Sequence, residues 1–528
     1  MRGNPTPSPG MNDADKGRPK SPDSDICDFI NDDDADNLLS KYRAQKQPHF
    51  PFVIIPPRTD IATLREESPF LLLCILTASL EHNKSLQETL EVTIRKEIAN
   101  RVIVSVERNM DILQGLLVHA AWYHYHYKTY HTQIYMLIQM AMMVVADLGL
   151  DRQENSGFRM QPIPVEAGAG IKEPQPGSAG HTACGMRDPS AQSAAGQRAL
   201  LGCYYLCSNS SLFRRQLYMR KTSWIDRCAQ ALAKRNESPT DSKLTTYVEV
   251  QSLMRRSQML FDEERRCPYS YNSTSGLWDR ASELMTQWEL MSGLLSSPDI
   301  QDNWPLRIEL GGAPALILGQ ALSEQENVFK LQELGLLEAM TSSAHYVLDA
   351  FLAAPLSVAY HLPTSSYGKL WYCLLMLSKL NIVFHVNKLS AVGVDKKRIH
   401  DKGVAIIQKF TDLAVDKNDI WTSSRKVIAN MLAWLDKSMS NVESQSASTT
   451  DPTGESEPVP ESEEQEPKPD SADQPDWLTT SYSSQDVMDF QFSLDDIDGG
   501  LWQQMLDSFT WFGPVPGDDG LGLDPYQE

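Results

Sequence analysis

The chain has no Cys-x-x-Cys pair. Its eight cysteines, Cys27, Cys74, Cys184, Cys203, Cys207, Cys228, Cys267 and Cys373, are scattered along 528 residues. That pattern excludes a zinc ribbon and a disulfide scaffold and reads as reduced, intracellular thiols. Cys203 and Cys207 share a helical face, and two small buried apolar side chains are the plain reading of that pair. The start "MRGNPTPSPGMNDADKGRPK" is polar and proline-rich, so no signal peptide is expected. Long apolar runs are missing too. Thr129 to Ala146 has no acidic or basic residue, but Thr129, His131, Thr132, Gln133 and Gln139 interrupt it, which makes it a core helix rather than a membrane span. His-Glu-x-x-His, Gly-x-Ser-x-Gly, a phosphate-cradling Gly-Lys-Ser/Thr loop and Gly-x-Gly-x-x-Gly are all absent. The reading is therefore a non-enzyme with no catalytic residue, no metal site and no cofactor.

Excess positive charge is also lacking. The net charge is −21, and residues 441–528 carry 21 acidic residues against one Lys. Residues 1–40 stand at −5, which leaves the middle at +4. A nearly neutral body with acid at its ends argues against direct nucleic-acid binding, which needs clustered Lys and Arg.

What is present is helical periodicity. Residues 1–47 are rich in Pro, Asp, Ser and Asn and are expected to be a disordered leader. A body over 48–440 follows, with an all-α fold of ten or more helices expected. Ser68 and Pro69 suit a helix start. Ser85 and Glu88 have capping-box spacing, Asp111 suits a cap for the next helix, and Gly149 suits a C-terminus. Residues 152–197, with seven Gly and five Pro, read as a mobile insertion. "MDILQGLLVHAAWYHYHYKTYHTQIYMLIQMAMMVVADLGLDR" holds His119, His124, His126 and His131. On one continuous helix His124 and His126 point apart, and His119 and His126 lie about 10.5 Å apart. No pair there chelates an ion, so packed histidines beside Trp122, Tyr123, Tyr125 and Tyr127 are expected.

Residues 441–476 are an acidic Ser/Pro/Glu linker with almost nothing to bury. Beyond it, 477–528 combine large apolar residues with acidic charge alone. Ser493 can cap a short helix, with Asp495 and Asp496 near its positive end. Leu494, Ile497, Leu501 and Met505 then fall on one stripe. Gly499 and Gly500 make that helix marginal without a partner. Acid keeps the aromatics solvated, while Phe490, Phe492, Leu494, Ile497, Leu501, Trp502, Met505 and Phe509 supply apolar contacts for an incoming groove. These eight residues are the candidate coactivator-binding site of an acidic activation segment.

The stretches "SPFLLLCILTAS", the histidine-rich block above and "RALLGCYYLCSNSSLFRRQLYMRKTSWIDRC" resemble, in order and spacing, the regulatory region of fungal binuclear zinc-cluster transcription factors. The resemblance covers about residues 50–440. It implies a nuclear regulator of a pathway-specific gene set, often in secondary metabolism, that engages transcriptional coactivators. Members carry an N-terminal six-cysteine module that holds two zinc ions. Only Cys27 and Cys74 precede residue 180 here, so no zinc ligand or base contact carries over. The expectation is that DNA is reached through a module missing from this sequence or through a DNA-bound partner, with no membrane association and with a homodimer left open.

The all-α enzyme alternative rests on Asp32, Asp33 and Asp36 in "DDDAD" and on Asn418, Asp419 and Thr422 in "NDIWTSSRK". Lys426 stands where the second magnesium motif wants Glu. Arg255, Arg256, Arg265 and Arg266 offer a basic import signal, or more plainly a solvated helix face shared with Glu263 and Glu264.

Overall fold

The computed structural model describes residues 30–126, 133–152, 193–210, 217–266, 273–323, 325–386, 394–415 and 419–448. All regular structure among them is helical, as the periodicity predicts. The longer helices are α1 (Asp32–Lys41), α2 (Ile61–Glu67), α3 (Pro69–Ser79), α4 (Lys84–Glu97), α5 (Met110–Ala121), α6 (Gln133–Asp147), α7 (Ala194–Asn209) and α8 (Ser223–Arg235). They continue as α9 (Leu244–Arg266), α10 (Ser273–Ser292), α11 (Trp304–Leu318), α12 (Gln325–Glu333), α13 (Leu336–Ala353), α14 (Thr364–Val386), α15 (Lys396–Leu413) and α16 (Ile420–Ser448).

Sequence character sorts these helices by depth. Helix α3, "PFLLLCILTAS", is apolar on every side, and Phe70 through Ser79 are all buried. Helix α11 is buried almost throughout and packs most extensively on α13. Helix α8 buries one stripe, Ile225, Cys228, Ala229 and Leu232, and leaves its other face to solvent. The strongest pairings are α3 with α5, α5 with α6, α11 with α13, and α15 with α16.

The described body begins before residue 48. Ile30, Ala35, Leu39 and Tyr42 are buried from the start of α1 onward. The following segment threads Phe50 and Phe52 into the centre, where Phe52 stacks on Tyr205 with ring centroids 5.1 Å apart. Close approach there requires Gly202, since a Cβ at that position would sit 2.6 Å from Phe52 Cβ.

Helix ends show where local reading misassigned the partner. Ser68 makes no side-chain cap bond at α3. The α3 amides of Phe70 and Leu71 instead donate to Asp111 Oδ2 and Oδ1 at 3.3 and 2.7 Å. Asp111 therefore caps α3 across space, while Asn109 caps α5 by accepting from Ile112 N at 2.9 Å. Asn83, not Ser85, caps α4. The histidine-rich block is also not one helix. α5 ends at Ala121, a short turn holds Tyr123–His126, and α6 starts at Gln133. This break brings the His119 and His126 rings to 5.1 Å, which corrects the 10.5 Å expected of a continuous helix. Gly149 does end α6 in the left-handed region, with φ +65° and Leu150 N bonded back to Val145 O.

One strained position lies on the surface. A π-helical turn, Ile98–Val104, extends α4 and leads to Val106, whose φ is +54°. A β-branched residue adopts that conformation only when its surroundings impose it. Arg101 bonds Glu107 and Asp111, and Arg108 bonds Asp147, Val102 O and Glu107 O, and these contacts hold the loop.

Asp111→Ala is expected to lower stability by about 3 kcal/mol, because it strands a largely buried guanidinium and two amides. Asn109→Ala removes one ordinary cap and should cost about 1 kcal/mol. Urea unfolding of both variants compares them, and equal losses would refute the trans-capping role.

Candidate functional site

A lone charge inside an apolar helical body must find a partner or neutralise. Four segments remote in sequence bring such charges together: the chain from Lys41 to His49, the loop from Ser79 to Lys84, the turn from Trp122 to His126, and the stretch from Tyr360 to Thr364. Glu81 Oε1 lies 2.9 Å from Lys41 Nζ, 3.1 Å from His361 Nδ1 and 3.8 Å from Lys46 Nζ. Lys46 is fully buried. Its ammonium donates to Tyr125 Oη at 3.0 Å and lies over the rings of Trp122 and Tyr125, 5.2 and 4.7 Å from their centroids. Tyr125 Oη donates to Tyr360 O at 2.8 Å, and Trp122 Nε1 donates to His361 O at 3.0 Å. His82 stacks on Tyr360 at the outer edge.

Electrostatics follow from this geometry. Burial alone would raise the Glu81 carboxyl, but Lys46, His361 and Lys41 more than reverse that and hold it below the ordinary carboxylate range. Burial pushes Lys46 down to about 8, with Glu81 opposing. Burial, with His361 and Lys46 adding repulsion, pushes His49 down to about 4. His119 falls to about 4 for the same first reason, and His124 and His126 are also pushed down.

A second buried centre joins α7, α9, α11 and α14. Lys369 Nζ lies 2.6 Å from Glu309 Oε1, Tyr205 Oη donates to the same oxygen at 2.6 Å, and Gln251 Nε2 donates to Oε2 at 2.9 Å. Asn209 Oδ1 accepts from Lys369. A third pair, Arg198 with Asp241, is bidentate at 2.7 and 2.7 Å.

Each of these charges is matched by an opposite charge or a hydrogen-bonding partner. Among the described residues no group of three or more His, Cys, Asp or Glu is arranged to hold a metal ion. No helix among them is long and apolar enough to cross a membrane. Asp32, of the acidic run, lies on α1 and pairs with Arg65 at 2.6 Å. Asp419 serves as a local cap, accepting from Val415 N and Thr422 N at 2.7 and 2.8 Å. Arg255 stacks over Tyr218 and Arg256 bonds Gln287. Cys203 and Cys207 are buried. Phe490, Phe492, Leu494, Ile497, Leu501, Trp502, Met505 and Phe509 lie outside the described residues.

Lys46, Glu81 and His361 were not singled out by the sequence, although Lys369 in "SYGKLWYCLLML" was a lone charge in an apolar stretch and so carried a signal.

Comparison with known proteins finds no matching family model and no matching solved structure. Curated sequences do match. The chain is 28% identical over 252 residues to "Transcription factor himD" of Aspergillus japonicus, covering 47% of this chain and 39% of that protein. It is 26% identical over 374 residues to "Transcription factor opdL" of Penicillium oxalicum, covering 69% and 62%. It is 27% identical over 265 residues to "Transcription factor pbcR" of Emericella nidulans, covering 46% and 32%. The chain is similar to fungal transcription factors. The matches span less than two thirds of the length of each of these relatives.

Two outcomes are expected. Lys369→Met alone should cost about 3–5 kcal/mol by stranding the Glu309 charge, and adding Glu309→Gln should recover more than half of it; a thermodynamic cycle from urea unfolding measures this. His49 and His119 are depressed in the fold, so their stabilising share is present above the unfolded value near 6.5 and is lost towards about 4. Glu81, also depressed, adds loss in the same direction. Unfolding free energy measured across that window should fall steadily on acidification, and less steeply in His119→Phe.

Proposed function

We propose that this chain is a transcriptional regulator. Its helical body is the regulatory part, and residues 477–513 are an acidic activation segment at the end of a charged linker. The observation that carries the reading is the similarity to transcription factors over 374 residues. The confinement of −20 of the net charge to residues 441–528 supports it. The proposed activity is activation of a pathway-specific gene set, with a secondary-metabolite cluster as the setting implied by resemblance. The nucleus is the proposed location and the coactivator machinery the proposed partner. DNA is reached through a separate zinc-cluster module or a DNA-bound partner, alone or as a homodimer. None of these roles requires a reaction, so the chain is not proposed to be an enzyme. A helical co-regulator or scaffold is the second reading, favoured by the near-neutral body.

Residues 477–513 fused to a foreign DNA-binding module are expected to activate a reporter. Replacing Phe490, Phe492, Leu494, Ile497, Leu501 and Trp502 by Ala should remove at least about nine tenths of that signal, since hydrophobic anchors carry the affinity. Reporter output that survives these replacements excludes the activation segment and favours the scaffold.

A further inference from the structure

The outer face of α6 lacks the charge that a solvent-facing helix normally carries. Its exposed residues are Met136, Gln139, Met143 and Ala146, and all four are uncharged. The outer face of α8, by contrast, carries Arg227, Lys234 and Arg235. The four α6 residues stand at i, i+3, i+7 and i+10. That is the narrow seam of a helix that pairs with another helix. Met136 and Met143 are 41% and 37% exposed, so the seam faces solvent.

A second apolar surface adjoins it. The turn after α4 exposes Ile103, Val104 and Val106, at 61, 74 and 56%. Val106 has left-handed backbone there, so three β-branched side chains are held in solvent at a cost in strain as well as hydration. Arg108 joins this turn to α6. Its Nε donates to Asp147 Oδ2 at 2.7 Å, and its Nη2 lies 3.6 Å from Met143 Sδ. A braced apolar patch on a surface marks a protein interface, and methionine adapts readily to a facing surface.

Charge decides what covers the patch. The acidic terminal segment needs a basic surface, but Arg101 is bonded to Glu107 and Asp111, and Arg108 to Asp147. A neutral seam does not repel its own copy, and a two-fold pair sets one patch against the same patch. Laid antiparallel about an axis level with Ala141, the α6 seam complements itself. Met136 of one copy meets Ala146 of the other, large against small, and Gln139 of one meets Met143 of the other.

We propose that α6 and the turn at residues 103–106 form a homodimer interface, with α6 packed antiparallel on α6 of a second copy. This specifies the homodimer left open above. It does not depend on the activation segment, whose reporter test uses residues 477–513 alone, so either reading can fail without the other.

Sedimentation equilibrium of the full chain over a range of concentrations tests the proposal, and the wild type should dimerise reversibly. Gln139→Lys and Met143→Glu should each weaken the dimer at least about tenfold, because each buries a lone charge at the seam. An equimolar mixture of the two variants should dimerise at least about tenfold more tightly than either alone, since the lysine of one copy then faces the carboxylate of the other. Circular dichroism checks that each variant keeps its helices. Val104→Lys, on the adjoining turn, should also weaken the dimer and serves where a helix variant does not fold. A chain that is monomeric throughout overturns the proposal and leaves the face to residues 477–528 or to another protein. Dimerisation unchanged in a folded variant overturns it too, as does a failure to recover on mixing.

Discussion

Buried charge is the constraint on which the rest of this structure depends. One carboxylate, Glu81, is shared by two ammonium groups from one remote segment and an imidazole from another. Removing charges from water costs several kcal/mol each, so the segments that carry them cannot separate without exposing or stranding a partner. Lys41 and Lys46 thereby fasten the first described residues to the loop after α3, His361 fastens that loop to the stretch before α14, and Tyr125 joins Lys46 to Tyr360 in the same stretch. The Glu309–Lys369 pair performs the same service for α11 and α14. Apolar packing gives the body its volume, and the charged pairs select which helices are neighbours.

Around those pairs the interior is closely fitted. Phe50 and Phe52 pack edge-on to one another and against Trp122, Tyr205 and Tyr247, so the segment before α2 is part of the core. Surface and interior are divided by charge as well. The helical body is nearly neutral, and the acid of the chain is concentrated beyond it. A body of this kind associates through shape and apolar contacts, whereas its acidic end is drawn to basic surfaces over longer distances.

The helical class was legible because periodicity is a local property. The apolar run of α3, the stripe of α8 and the turn at Gly149 could all be read from a few residues each. Partners across the chain were not legible. Ser68 and Ser85 had the right composition for caps, yet Asn83 caps α4 and Asp111 caps α3 from 40 residues away. The break after Ala121 was missed because Trp122 to His126 are compatible with helix; Thr364 and His361 draw that turn out by bonding to Ala121 O, His124 and Trp122. Residues before 48 were read as leader from their Asp and Pro content, although Leu38, Leu39 and Tyr42 already had helical spacing. Of the buried charges, Lys369 stood out as isolated in apolar surroundings, whereas Lys46 and Glu81 sat among polar neighbours and gave no such sign.

The capping of α3 by Asp111 has a consequence for how the chain is made. Helix α3 is apolar on all sides and has no side-chain cap of its own. During synthesis its residues leave the ribosome some 40 positions ahead of the aspartate that completes its first turn, an interval of about 2–8 s at typical elongation rates. For that interval an apolar, uncapped segment waits outside the ribosome without the carboxylate that completes its first turn.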